Sequence, residues 1–239
     1  MRIAYFHCFA GISGDMILGA LVDAGLSFQQ LQEDLAGLSL TGFRLEKEKV
    51  TRKGIGGTRI RVITEEGHVH RGLEDIKRII QESSLPGAAK EKSIEIFTRL
   101  AQAEAKVHRS RVEEIHFHEV GALDAIVDIV GAVSGLRRLG IEEVYSSPLH
   151  IGTGFVHCAH GTIPVPAPAT VELLKGVPVY SQGIDSELVT PTGAAILTSY
   201  CRHYGPMPPM RLLSCGYGAG TRDLSIPNLL RLQLGERIT

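Results

Sequence analysis

Tryptophan is absent and aromatic residues make up only 5% of the chain, so there are no rows of flat side chains of the kind that stack nucleic-acid bases. Charge is nearly balanced, 25 lysines and arginines against 26 aspartates and glutamates, which leaves no basic field to attract nucleic acid or an anionic membrane. No apolar run approaches the length of a membrane span; the best candidate, ALDAIVDIVGAVSGL, carries two aspartates. The first twenty residues lack a basic stretch followed by a long apolar one, so no signal peptide is read there and a cytoplasmic location is expected. The four cysteines (Cys8, Cys158, Cys201, Cys215) form no CxxC pair, which excludes a cysteine-rich zinc module and suits a reducing compartment. Walker, GxSxG and HExxH motifs are missing.

What is present is a globular composition long enough for a sizeable core. IAYFHCF reads as a buried strand and GDMILGALVDAG as a helix ending at Gly25. SFQQLQEDLAGL reads as a second helix capped by Ser27. FRLEKEKVTR and GTRIRVIT alternate as strands do and are joined by KGIGG, a hairpin pattern. LEDIKRIIQES, AAKEKSIEIFTRLAQAEAKVHRS and the stretch closed by Gly140 have helical spacing. From residue 150 the texture becomes rich in Gly, Pro and His, and two strands close the chain around a glycine-rich turn. The expectation is an α/β or α+β fold: a mixed sheet with flanking helices in one compact unit. A division into subdomains 1–150 and 151–239 is left open.

Four segments carry residues suited to chemistry. In CFAGISGD, Gly11 and Gly14 allow close backbone approach and Ser13 or Asp15 opens a helix, a seat either for an anion or for nothing more than a cap. In IHFHEVGALDAIVDIVG, His116, His118 and Glu119 are N and O donors suited to a divalent ion. In the same segment Asp124 and Asp128 lie one turn apart on one helix face, with Gly121, Gly131 and Gly135 near that stripe. Two carboxylates in so apolar a helix require arginine partners or a polar cavity. His68 and His70, and the group His157, Cys158 and His160, suit nickel, zinc or copper better than magnesium, although solvated loops are the plainer reading of the first pair. Thr190, Pro191, Thr192 and Gly193 start a helix and offer a second anion seat, while Gly216, Gly218 and Gly220 suit either a site or a bulge.

Together, FAGISGDM, HFHEVGALDAIVDIVG, HGTIPVPAPATVELL, TPTGAAIL and GYGAG resemble the nickel insertion protein family of lactate racemase cofactor synthesis, LarC, over nearly the whole chain. The resemblance implies insertion of nickel into pyridinium-3,5-bisthiocarboxylic acid mononucleotide. The product is the nickel-pincer nucleotide, in which two sulfurs and a ring carbon hold the metal. It further implies CTP hydrolysis with manganese or magnesium, and a nickel chelatase or cyclometallase of the lyase class. The implied partners are the pyridinium mononucleotide and apo lactate racemase. Family proteins continue past LQLGERIT into a C-terminal domain associated with CTP and with assembly into homo-oligomers, so the chain resembles their N-terminal portion.

Against that chemistry, His116 and His118 are candidates to hold nickel before transfer, with Cys8, His68, His70, His157 and His160 as further donors. Glu119, Asp124 and His118 are candidates to take the ring proton, and Asp128 is counted with Glu119 and Asp124 as a catalytic residue. The phosphate seat is expected either at Gly11, Ser13, Gly14 and Asp15 or at Thr190, Thr192 and Gly193. The chain departs from the family at His7, where an aspartate is usual, exchanging a hard carboxylate for a softer nitrogen. Two rival readings remain: a non-catalytic nickel carrier or store, and a magnesium-dependent hydrolase using the two aspartates.

Overall fold

Strand β1 (Arg2–His7) is buried along most of its length because it runs through the middle of the molecule. In the computed structural model, which describes residues 1–38, 40–64, 71–117, 123–158 and 161–238 without the side chain of His116, β1 pairs in parallel with β4 (Glu143–Ser146) and antiparallel with β9 (Leu229–Arg237). The hairpin of β2 (Phe43–Arg52) and β3 (Ile55–Thr64), with β7 (Cys201–Tyr204) and β8 (Met210–Ala219), completes a mixed sheet of seven strands among the described residues, ordered β7-β4-β1-β9-β8-β3-β2. Strands from before and after residue 150 thus share one sheet. A separate small hairpin, β5 (Phe155–Cys158) with β6 (Gly161–Pro164), stands apart from it.

The hairpin turn is tighter than the glycine-rich KGIGG suggests. Only Lys53 and Gly54 turn, at φ 47° and 84°, and two positive φ values match the twist of the flanking strands. Ile55, Gly56 and Gly57 continue the ladder. Gly57 is small for another reason: a Cβ there would lie 2.9 Å from the Tyr217 carbonyl oxygen.

The helices are α1 (Gly14–Asp23), α2 (Phe28–Ala36), α3 (Leu73–Glu82), α4 (Gly87–His108), α5 (Leu123–Arg138), α6 (Pro168–Leu173) and α7 (Pro191–Tyr200). Ser27 caps α2 by accepting from Gln30 N–H at 3.4 Å. Ala4 and Phe6 of β1 join one continuous core with Ile17, Leu21, Phe97 and Ile126, whereas Ile3 and Tyr5 point to the opposite face and pack on Tyr145 and Met210. Among the described residues no helix is long and apolar enough to cross a membrane.

Helix α1 is buried nearly all round because glycines let backbones meet on both of its sides. A Cβ on Gly218 would lie 1.8 Å from the Met16 carbonyl oxygen, and one on Gly216 would lie 2.4 Å from that of Ala20. Those two glycines therefore belong to the strand and admit the helix; the irregularity in β8 falls earlier, between Leu212 and Ser214. On the other side, Gly131 and Gly135 of α5 make room for Leu18 and Leu21. Asp23, at the end of α1, accepts from Thr58 Oγ1 at 2.6 Å, Lys49 Nζ at 2.7 Å and Tyr217 N–H at 2.8 Å, which ties the helix to three strands.

Candidate functional site

The cavity opens where β3 parts from β8. β3 runs parallel to β8 through one paired position, Gly218 with Thr58, and then separates from it. The gap is closed by the first turns of α1, α5 and α7 and by the β5–β6 hairpin, around a volume of about 610 Å³.

Two helix starts are drawn together there by main-chain contacts. Gly11, at φ 81°, lies so close to the Leu188 carbonyl that a Cβ would be 1.9 Å from its oxygen. Ile12 N–H donates to Leu188 O at 2.9 Å, and Thr190 N–H donates to Ile12 O at 3.1 Å. Gly193 of α7 sits against Ile12 and Ser13, with no space for a Cβ. The two segments that the sequence offers as separate anion seats are therefore neighbours in one cavity, which both Ser13, Gly14, Asp15 and Thr190, Thr192 line.

Their electrostatics differ. At α1 the Ser13 hydroxyl donates to Asp15 Oδ1 instead of capping the helix, and the same oxygen accepts from Met16 N–H at 2.9 Å. Asp128 reaches the same place from α5, with its carboxylate against Gly14. The start of α1 thus already faces two carboxylates. At α7, Thr190 Oγ1 accepts from Gly193 N–H at 3.2 Å and Pro191 has no N–H to offer, so Thr192 presents the remaining donors. Arg222 stands nearby, donating to Ser186 Oγ at 2.8 Å and Glu187 O at 2.9 Å.

Asp124 and Asp128 face this cavity and have no arginine ion pair among the described residues. Asp124 Oδ1 accepts from Ala125 N–H at 2.8 Å. Asp128 Oδ1 is closed off from water and accepts no hydrogen bond among the described residues. Burial raises the carboxyl pKa of all three aspartates. For Asp128 the rise is large: burial acts first, and the charges of Asp15 and Asp124 add to it. The cavity floor therefore favours bound protons.

His157 and Cys158 line the cavity on the β5–β6 hairpin, with His157 Nδ1 hydrogen-bonded to Thr162 Oγ1 at 2.8 Å. Cys8 is placed elsewhere. It is fully buried beneath the sheet beside Ser146, outside the cavity lining, and burial pushes its thiol up to about 12. His7 also lies away from the lining, accepting from Arg231 Nη2 through Nδ1. His68, His70, His118, Glu119 and His160, the side chain of His116, and Gly121 lie outside the described residues. Among the described residues no three His, Cys, Asp or Glu side chains stand close enough together to hold a metal ion.

Three wall residues have no motif to announce them. Arg59 and Arg61 enter from β3, and Arg222 comes from the turn between β8 and β9. The i, i+2 arginines of GTRIRVIT are the one local signal, since alternate strand residues share a face.

No solved structure matches the chain. Proteins from two strains of Desulfitobacterium hafniense, both named pyridinium-3,5-bisthiocarboxylic acid mononucleotide nickel insertion protein, are 64% identical over 236 residues, covering 99% of this chain and 59% of their own. A relative from Dictyoglomus thermophilum is 49% identical over 238 residues, covering 100% of this chain and 62% of its own. The chain thus spans about three fifths of the length of the curated relatives it matches. The family profile described as "Nickel insertion protein" matches residues 4–238, and on that match the chain belongs to the nickel insertion protein family.

Proposed function

We propose that this chain carries the substrate cavity for inserting nickel into pyridinium-3,5-bisthiocarboxylic acid mononucleotide, acting in the cytoplasm as part of a nickel chelatase. The observation that carries the reading is the cavity itself. It joins an acidic, proton-holding floor to a helix start suited to phosphate, in a chain of this family. The phosphate is assigned to Thr192 and the start of α7, where the Thr192 N–H is unpaired among the described residues and Arg222, 3.7 Å from the Glu187 carboxylate, stands nearby. The start of α1 is the poorer seat, because Asp15 and Asp128 already face it.

Nickel is a substrate here and has to meet two sulfurs and one ring carbon. When the Ni–C bond forms, the electron pair of the ring C–H bond passes to the metal bond and the proton must leave. Asp128, which lines the cavity, is assigned as its acceptor in the ionised form, and its raised pKa makes that form a stronger base than an ordinary carboxylate. Asp124 and Asp15 sustain that proton affinity by their charge. His157 and Cys158, at the cavity wall, are nitrogen and sulfur donors of the kind nickel accepts on its way in. CTP with manganese or magnesium, the lyase-type turnover and delivery to lactate racemase are assigned to the complete assembly, in which the relatives' additional length takes part.

Mass spectrometry of the thiolated mononucleotide after incubation with nickel-loaded protein tests this, with and without CTP and manganese and with the additional region of a longer relative supplied separately. A nickel mass shift that disappears in Asp128→Asn is expected in at least one combination. Nickel binding without a shift in any combination would support a carrier instead.

A further inference from the structure

Arg59 is a partly buried guanidinium that the protein leaves under-used. Its ion pair among the described residues is with Glu48, at 3.9 Å across the hairpin, and the Glu48 side chain is 52% exposed. Arg59 Nε is sealed from water and makes no hydrogen bond among the described residues. Asp15 feels the arginine's charge, but its Oδ1 is taken by Ser13 and Met16 and no ion pair joins Asp15 to Arg59 among the described residues. Arg52 and Arg231 also leave Nε without a partner, yet neither lines the cavity and each spends an Nη donor, on Gly220 O at 2.9 Å and on His7.

The sealed Nε is out of a ligand's reach, so the cavity is served by the two Nη groups, which make no hydrogen bond among the described residues and together match a planar acid group through two parallel bonds. In a pyridinium mononucleotide the ribose separates the ring from the phosphate, so the ring acids and the phosphate need separate seats. Arg59 stands beside Asp15 at the acidic end, where the ring carbon has to give up its proton.

We propose that Arg59 is a substrate-positioning residue that grips one acid group of the pyridinium ring and sets the ring edge over Asp128, while the phosphate occupies the start of α7. This rests on the function proposed above. Its test uses two probes with the same ribose phosphate: nicotinic acid mononucleotide, whose ring bears a carboxylate, and nicotinamide mononucleotide, whose ring group is neutral. Calorimetric titration of the full 239-residue chain is compared with that of Arg59→Gln, after circular dichroism and thermal unfolding show that the variant is folded. We expect a loss of about tenfold or more for the acid and little change for the amide, the scale of a lost hydrogen bond to a charged group. Arg59→Lys should recover only part, since an ammonium cannot offer two parallel bonds. Equal loss for both probes, or no loss for either, overturns the assignment while leaving the proposed function standing. If the parent chain binds neither probe, the function reading fails and takes this one with it.

Discussion

The Asp128 carboxylate rests directly on the Cα of Gly14: a Cβ at that position would lie 2.2 Å from Asp128 Oδ2. Glycine at the start of α1 is therefore what lets a side chain from α5 reach the cavity floor. Gly14→Ala should destabilise the fold by about 2 kcal/mol, the scale of an overpacked core, and displace the carboxylate. Adding Asp128→Ala removes the carboxyl atoms at 2.2 and 2.5 Å but leaves the residue 128 Cβ at 2.6 Å, so the double variant should regain only part of the loss. Urea unfolding of the four proteins in the cycle decides it, and a Gly14→Ala chain as stable as the parent would remove the contact from consideration.

Stability should also report the protons held on the floor. Asp128 has a raised pKa in the folded state, so the folded chain binds more protons than the unfolded chain between the ordinary value of 3.8 and the raised one. Its contribution is fully present below 3.8 and is lost as pH climbs through the folded value. Asp124 and Asp15 act in the same direction. Unfolding free energy measured from pH 4 to pH 8 should therefore fall less steeply in Asp128→Asn than in the parent. Parallel curves would show that the carboxylate is not held in its neutral form.

The cap of α7 has a defined energy. Thr190 Oγ1 satisfies Gly193 N–H beside the proposed phosphate seat. Thr190→Ala should cost about 1 kcal/mol and Thr190→Ser very little, the ordinary scale for losing or keeping an N-cap oxygen. Denaturant midpoints of the two variants suffice to check the order.

At His7 a neutral ring accepts from Arg231, and burial followed by the arginine's charge lowers the histidine pKa. His7→Asp would turn this bond into a charge-assisted ion pair, with an expected gain of up to about 1 kcal/mol at pH 7. The gain should vanish once the new carboxylate is protonated, below about pH 4. An unchanged midpoint at pH 7 would contradict it. His7→Asp therefore alters a contact within the sheet, at a position outside the cavity lining.

How much of this the sequence discloses depends on the range over which each signal acts. The β2–β3 hairpin and the shared face of Asp124 and Asp128 are written in periods of two and of three to four residues, and both are visible in the chain. That the two aspartates face a cavity and not arginines depends on β3 parting from β8, a relationship between segments over 150 residues apart. Gly216 and Gly218 resemble turn residues locally, yet what makes them small is the backbone of α1. Cys8 looks like a donor by type, but the buried strand that leads into it carries it beneath the sheet. Arg59 and Arg222 have no motif at all, because a cavity wall is assembled by topology and not by spacing.

The contacts among α1, β8 and α7 are made atom to atom by peptide groups, at Gly216, Gly218 and Gly193. Contacts between side chains can be retuned by changing a rotamer or a residue, whereas peptide groups offer no adjustable layer. The spacing between the two helix starts therefore behaves as a fixed gauge. Residues on the rim can be exchanged without altering the distance between the start of α1 and the start of α7. Enlarging any one of the three glycines changes that distance while leaving every functional side chain in the sequence intact.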